Sequence, residues 1–166
     1  MTYKTTKLTA TDVFLTGLNV VYLSAFSSLY TQIPGLFGEN GILPVHRRMS
    51  EHQKPCFEMS LKELYKEASL FCVSHDLKLT PSSTMELFCV LGMAASIANI
   101  ASEKMRITWG FFTHALLWLL YLSIFNIGNE VFLSFQWDIL LLEVGFLSIF
   151  INAFQGQYST NNSIFF

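Results

Sequence analysis

The sequence predicts an all-α fold: a polytopic membrane helix bundle of about four transmembrane helices, with a short amphipathic helix in its longest loop. Three observations predict it. The 166 residues are 52% hydrophobic and 15% aromatic but only 13% charged, against roughly 25% charged residues in a soluble domain. Four stretches are nearly free of charge and approach the roughly 20 residues needed to cross a hydrocarbon core. Charge is also segregated, since all ten Lys and Arg lie at or before Arg106 and the last 60 residues contain none. A net charge of −2 offers no basic surface to nucleic acid, so the expected partner is the lipid bilayer and no nucleic acid. Three cysteines are too few for a disulfide scaffold and lack metal-ligand spacing. There is no GxGxxG, P-loop, HExxH or GxSxG pattern. No cofactor and no metal is expected.

Residues 1–12 are polar, carry Lys4 and Lys7, and end in a helix cap at Thr11 or Asp12. The apolar run that follows is too long for a cleavable signal peptide. Span one, 13–31, holds no charge. Its Gly17, Ser24, Ala25, Ser27 and Ser28 suggest a face packed on other helices. Two prolines and three glycines in the thirteen residues Gln32 to Pro44 predict that the helix stops at Thr31 and gives way to a turn-rich loop. The whole loop, 32–83, is balanced in charge, with six basic against six acidic residues from Glu39 on. Within it Ser60-x-x-Glu63 is a capping box, and Leu61, Leu64, Tyr65, Ala68 and Phe71 follow at helical spacing, predicting an amphipathic helix over 61–73.

Pro81 and a second capping box, Ser83-x-x-Glu86, open span two over 84–101. Gly92, Ala94, Ala95, Ser96 and Ala98 suit it to a crowded central position. Residues 102–106 form a charged turn, span three covers 107–127, and span four covers 131–154 before a polar tail, 155–166. Lys4 and Lys7 lie before span one, and Lys104 and Arg106 between spans two and three. The positive-inside rule therefore places the N-terminus, the 102–106 turn and the tail in the cytosol. The 32–83 loop faces the other side. An oxidising compartment there would let Cys56 and Cys72 form a disulfide, while Cys89 reads as a small core residue.

Chemistry concentrates in span four, whose apolar run embeds Asp138 and Glu143. Carboxylates inside a bilayer cost on the order of 2.5–3.5 kcal/mol each on insertion scales. Five residues apart on a helix, the two are about 140° and about 7.5 Å apart, so they form no dyad sharing a proton. No span offers them a Lys or Arg. The available partners are His114, Asn99, Asn126, Asn129 and Gln136, with Glu143 and His114 offset in depth by about 6 Å. A polar network of His114, Asp138 and Glu143 is therefore possible. It could serve a membrane enzyme or a proton-coupled transporter, or it could be purely structural. The cationic partners could also lie in chain outside these 166 residues.

Two longer stretches carry a resemblance. The segment from Ala25 to Pro44 (AFSSLYTQIPGLFGENGILP), followed by His46-Arg47-Arg48, resembles the first span and first loop of the lipase maturation factors. Its distinctive positions are Gln32, Pro34, Gly35, Gly38, Gly41 and Pro44. The segment from Phe135 to Phe146 (FQWDILLLEVGF) resembles a second signature of that family, through Gln136, Trp137, Asp138, Glu143 and Gly145. The match is closer to the second member type than to the first. The resemblance implies a multi-pass protein of the endoplasmic reticulum membrane with a cytosolic N-terminus. It also implies a folding factor, not an enzyme, that assists folding, assembly and export of secreted dimeric lipases. Members of the family are several times longer and meet client lipases through a C-terminal lumenal region. The resemblance thus implies that this chain corresponds to the N-terminal part, as a fragment or a short form. Under that resemblance, Asp138 and Glu143 are expected to orient span four within a larger bundle.

Overall fold

The computed structural model describes residues 10–44, 79–128 and 132–162, with side chains as far as Ala153. The helix expected over 61–73 and the Cys56–Cys72 pair lie outside the described residues, as do residues 1–9. Four helices make up the described chain: α1 (Ala10–Leu36), α2 (Pro81–Ala101), α3 (Glu103–Gly128) and α4 (Gln136–Asn162). There is no strand among the described residues. All four are long and apolar enough to cross a membrane, α4 over Gln136–Ala153. Less than half of each apolar window is buried within the bundle. The outer faces carry Val20, Val21, Ile97, Phe112, Leu140 and Leu147 in the open, as lipid-facing helices must.

Consecutive helices run antiparallel. α2 lies between α1 and α3, α4 packs on α3, and α1 meets α4 only lightly. α2 shares this inner place with α3. The stripe that α1 buries is Asp12, Leu15, Leu18, Asn19, Tyr22, Phe26, Leu29 and Ile33, spaced by three and four as one helix face requires. Its small residues do not form that stripe: Gly17, Ser24, Ser27 and Ser28 are exposed. Close approach is achieved from the other side of each contact. The Phe26 ring seats over Gly92 of α2, and the Tyr22 hydroxyl lies against Gly145 of α4. Tyr22, Phe26 and Tyr121 form an aromatic cluster, with edge-on contacts to Tyr121 at 6.2 and 5.7 Å between ring centres.

The elements begin and end differently from the sequence expectation, each for a local reason. α1 runs past Thr31 and through Pro34 to Leu36. Pro34 has no N–H to give, but so close to the helix end the loss is confined to the final turns. The chain then folds back: Phe37 and Gly38 donate to Ile33 O, Ile42 to Gly35 O and Leu43 to Leu36 O. These bonds serve the carbonyls a helix end leaves unsatisfied. Gly38 and Gly41 are required by that fold-back, because a Cβ on either would strike the Pro34 or Leu36 carbonyl.

Thr80, not Ser83, caps α2: its hydroxyl accepts from Ser83 N, and Pro81 takes the first helical position, where its fixed φ suits the helix. The expected 102–106 turn shrinks to Ser102. That residue closes α2 by donating its N–H to Ala98 O, while its own carbonyl accepts from Arg106 N and its hydroxyl from Met105 N. Arg106 is thereby drawn into the first turn of α3. α4 starts at Gln136 rather than Val131, because Phe132 and Leu133 donate to Gly128 O in a turn. The helix continues to Asn162, into the expected tail.

Candidate functional site

Two polar clusters lie inside the bundle, one near each end. At the end where α1 begins, six side chains join three helices. Asn19, fully buried on α1, donates from Nδ2 to Leu15 O at 2.7 Å and lies 3.3 Å from His114 Nε2. His114 Nδ1 is 2.9 Å from the Gly110 carbonyl. A carbonyl only accepts, so the proton sits on Nδ1 and Nε2 accepts from Asn19. Asn99 of α2 donates to Asn19 Oδ1 at 3.2 Å and to Thr113 of α3 at 3.0 Å. Arg106 donates from Nη1 to the Asn99 carbonyl at 3.2 Å, and its Nη2 lies 3.7 Å from Asp12 Oδ1. Arg106 and Asp12 are both largely buried, at 7% and 8% exposure.

Such bonds between helices hold a bundle together where the hydrophobic effect between helices is weak, each worth about 0.6–1.7 kcal/mol. Asn19→Leu should therefore destabilise the bundle by about 2 kcal/mol, since it removes bonds on two sides and leaves His114 Nε2 and an Asn99 N–H unmatched. Reversible unfolding in detergent checks this, with Asn19→Gln less damaging than Asn19→Leu.

The second cluster lies where α1 ends and α4 begins. Tyr121 of α3 donates to Asp138 Oδ1 at 2.6 Å. Asp138 is 6% exposed, and its Oδ2 has no hydrogen-bond partner among the described residues. One turn deeper, Trp118 donates its indole N–H to Leu142 O at 3.0 Å, fixing the register of α3 against α4. Beside Asp138 is a cavity of about 450 Å³ whose polar wall is Ser24, Ser28, Gln32, Tyr121 and Asp138, with Trp137 at its side.

The two motif stretches, a hundred residues apart in the chain, come together here. Gln32 of the first and Trp137 and Asp138 of the second line one cavity. The fold-back that holds Pro34, Gly35, Gly38, Gly41 and Pro44 follows directly, and its Phe37 packs edge-on against Phe132 with ring centres 5.5 Å apart. Gln136 lies exposed at the start of α4, and Gly145 lies further along it, against Tyr22.

The structure does not bring His114, Asp138 and Glu143 into one network. His114 is bonded to Asn19 and Gly110, near the other end of the bundle. Asp138 takes its donor from Tyr121, which is none of the five partners expected from sequence. Glu143 is exposed on the outer face of α4, because the helix turns it away from the Asp138 side. No group of three His, Cys, Asp or Glu side chains that could hold a metal occurs among the described residues. Asn19 and Tyr121 are residues that the sequence did not single out, and Ser24 and Ser28, read there as a helix-packing face, line the cavity instead. Asn19 was detectable as the one amide in an otherwise uncharged span. Nothing marked Tyr121 among the other aromatics.

Four apolar helices with polar side chains gathered inside define a multi-pass membrane protein. The chain belongs to the lipase maturation factor family. A family model described as the lipase maturation factor transmembrane domain matches residues 9–165. Lipase maturation factor 2 of Xenopus tropicalis is 42% identical over 142 residues, covering 86% of this chain and 19% of that relative. The Homo sapiens protein of the same name is 37% identical over 140 residues, covering 84% and 19%. Lipase maturation factor 1 of Homo sapiens is 30% identical over 143 residues, covering 84% and 24%. The chain is thus closer to the second member type, and it spans about a fifth of the length of these relatives. No solved structure matches the chain.

Proposed function

We propose that this chain forms the membrane-embedded helix bundle of a lipase maturation factor in the endoplasmic reticulum, and that it works as a folding factor without catalysis of its own. On this reading it assists folding, assembly and export of secreted dimeric lipases, with client contact made by regions that the longer relatives carry. The observation that supports it most is the meeting of the two signature stretches around one cavity within a chain matched by the family model almost throughout. The separation of His114, Asp138 and Glu143 removes the geometric basis for an acid–base relay among them. Deleting the gene should leave secreted lipase inactive and retained while its transcript stays normal. Undiminished secreted lipase activity in the deletion would overturn the proposal.

The orientation proposed is N-terminus in the cytosol. Lys104 is exposed at the end where α1 begins and retains its weight in the positive-inside rule. Arg106 stands at the same end, facing Asp12. Asn161-Asn162-Ser163, the only N-glycosylation sequon, then lies on the cytosolic side. Treatment with an endoglycosidase should leave the electrophoretic mobility unchanged, and a glycan on Asn161 would reverse the topology.

A further inference from the structure

The cavity beside Asp138 has a definite chemical demand. The Asp138 carboxylate is 6% exposed and uses Oδ1 to accept from Tyr121, while Oδ2 has no donor among the described residues. No cation comes from the walls, because residues 10–36 and the last 60 residues contain no Lys or Arg. Among the described residues, a positively charged group bearing N–H is what the site lacks. The facing wall offers donors. Ser28 Oγ accepts from Gln32 Nε2 at 2.7 Å, which leaves the Ser28 hydroxyl hydrogen and a second Gln32 N–H to give.

The position of the cavity identifies the source. Gln32 stands four residues before the end of α1 and Asp138 two residues after the start of α4, so the cavity begins at the ends of the spans, at headgroup depth, and reaches inward along α1 to Ser24 and Val21. Phe135 and Trp137 stack beside it at 4.6 Å between ring centres and are 49% and 66% exposed, in the manner of interfacial aromatic anchors. Towards the middle of the bundle the groove closes, because Tyr22 of α1 meets Gly145 of α4. A further helix could not lie continuously between them. Exposed Val21 and Leu140 flank the groove on the bilayer side.

We propose that this cavity binds the headgroup of an ethanolamine phospholipid. The ammonium donates to Asp138, the phosphate oxygens accept from Ser28 and Gln32, and the acyl chains lie along the outer faces of α1 and α4. A choline headgroup has no N–H for Asp138. An anionic lipid would meet the Asp138 carboxylate between walls that carry no Lys or Arg.

Native mass spectrometry tests this on the whole chain equilibrated with equimolar phosphatidylethanolamine, phosphatidylcholine and phosphatidylglycerol. The ethanolamine lipid should be retained over the choline lipid by about tenfold, the scale of one charge-assisted hydrogen bond. Asp138→Asn should bring that ratio close to one. Ser28→Leu, which fills the cavity from α1 without touching the Tyr121–Asp138 bond, should do the same, and it decides the matter if Asp138→Asn does not fold. Equal retention of the three lipids would overturn the proposal. So would an unchanged ratio in Ser28→Leu or in folded Asp138→Asn, a preference for phosphatidylglycerol, or displacement of the lipid by a lysine-bearing peptide.

Discussion

Replacing Arg106 by methionine should cost this bundle about 3 kcal/mol, towards the lower end of the range for stripping one partner from a buried ion pair. Arg106 holds two helices at once. Its Nη1 donates to the Asn99 carbonyl near the end of α2, and its Nη2 faces Asp12 at the start of α1. Both side chains are largely buried, so solvent screens their attraction little. Methionine keeps much of the apolar stem but removes the cation facing Asp12 and the donor to Asn99. A second change separates these losses. Asp12→Asn combined with Arg106→Met removes the buried charge that the single variant leaves behind, and should recover a substantial part of the stability. Urea titration of the detergent-solubilised protein measures both. A double variant no more stable than Arg106→Met would show that the bond to Asn99, and not the ion pair, carries the effect.

The same residue shows how far the sequence could be read. Hydropathy and charge segregation made four helices legible, since a run of apolar residues needs no tertiary information to be recognised. The role of Arg106 depends on contacts between residues far apart in the chain. From sequence it belonged to a charged turn, and Asp12 was, with Thr11, one of two candidates for a helix cap. Only the contraction of that turn to Ser102 brings the guanidinium inside, opposite Asp12. Asn99 was legible as an intramembrane amide, but its partner is Asn19, not an acid of span four. The small-residue face of α1 misled for a related reason. Close packing needs a small residue on one side of a contact, and here Gly92 and Gly145 provide it while α1 contributes Phe26 and Tyr22.

The two signature stretches were recognisable as motifs, yet their convergence was not. It depends on α1 extending past Pro34 and on α4 starting late at Gln136, which together bring Gln32 and Asp138 to one cavity. Glu143 looked like the equal of Asp138 in the sequence. The helix separates them by placing one against Tyr121 and the other on the outer face.

Gly145→Ala should destabilise the bundle by about 1–3 kcal/mol, the usual range for inserting a methyl group into a filled site. The added Cβ would occupy the position of the Tyr22 hydroxyl and would also lie 3.4 Å from Trp118 Cδ1. Tyr22 has no room to withdraw: it is fully buried, with its ring 6.0 Å from Phe26 and 6.2 Å from Tyr121 between centres. Its hydroxyl is also without a hydrogen-bond partner among the described residues. Tyr22→Phe should therefore be close to neutral or mildly stabilising, because it removes a buried polar group that makes no bond. It also vacates the space that the alanine methyl needs. Combining Tyr22→Phe with Gly145→Ala should recover most of the loss, giving a coupling of at least about 1 kcal/mol in a double-mutant cycle. Additive effects would mean that Gly145 is required for a reason other than the Tyr22 contact. The pair closes the groove between α1 and α4 just below Asp138, so Gly145→Ala alone should also widen the cavity and weaken its discrimination among lipid headgroups. Lipid selectivity that survives a measured loss of stability would separate the packing role of Gly145 from any influence on the cavity.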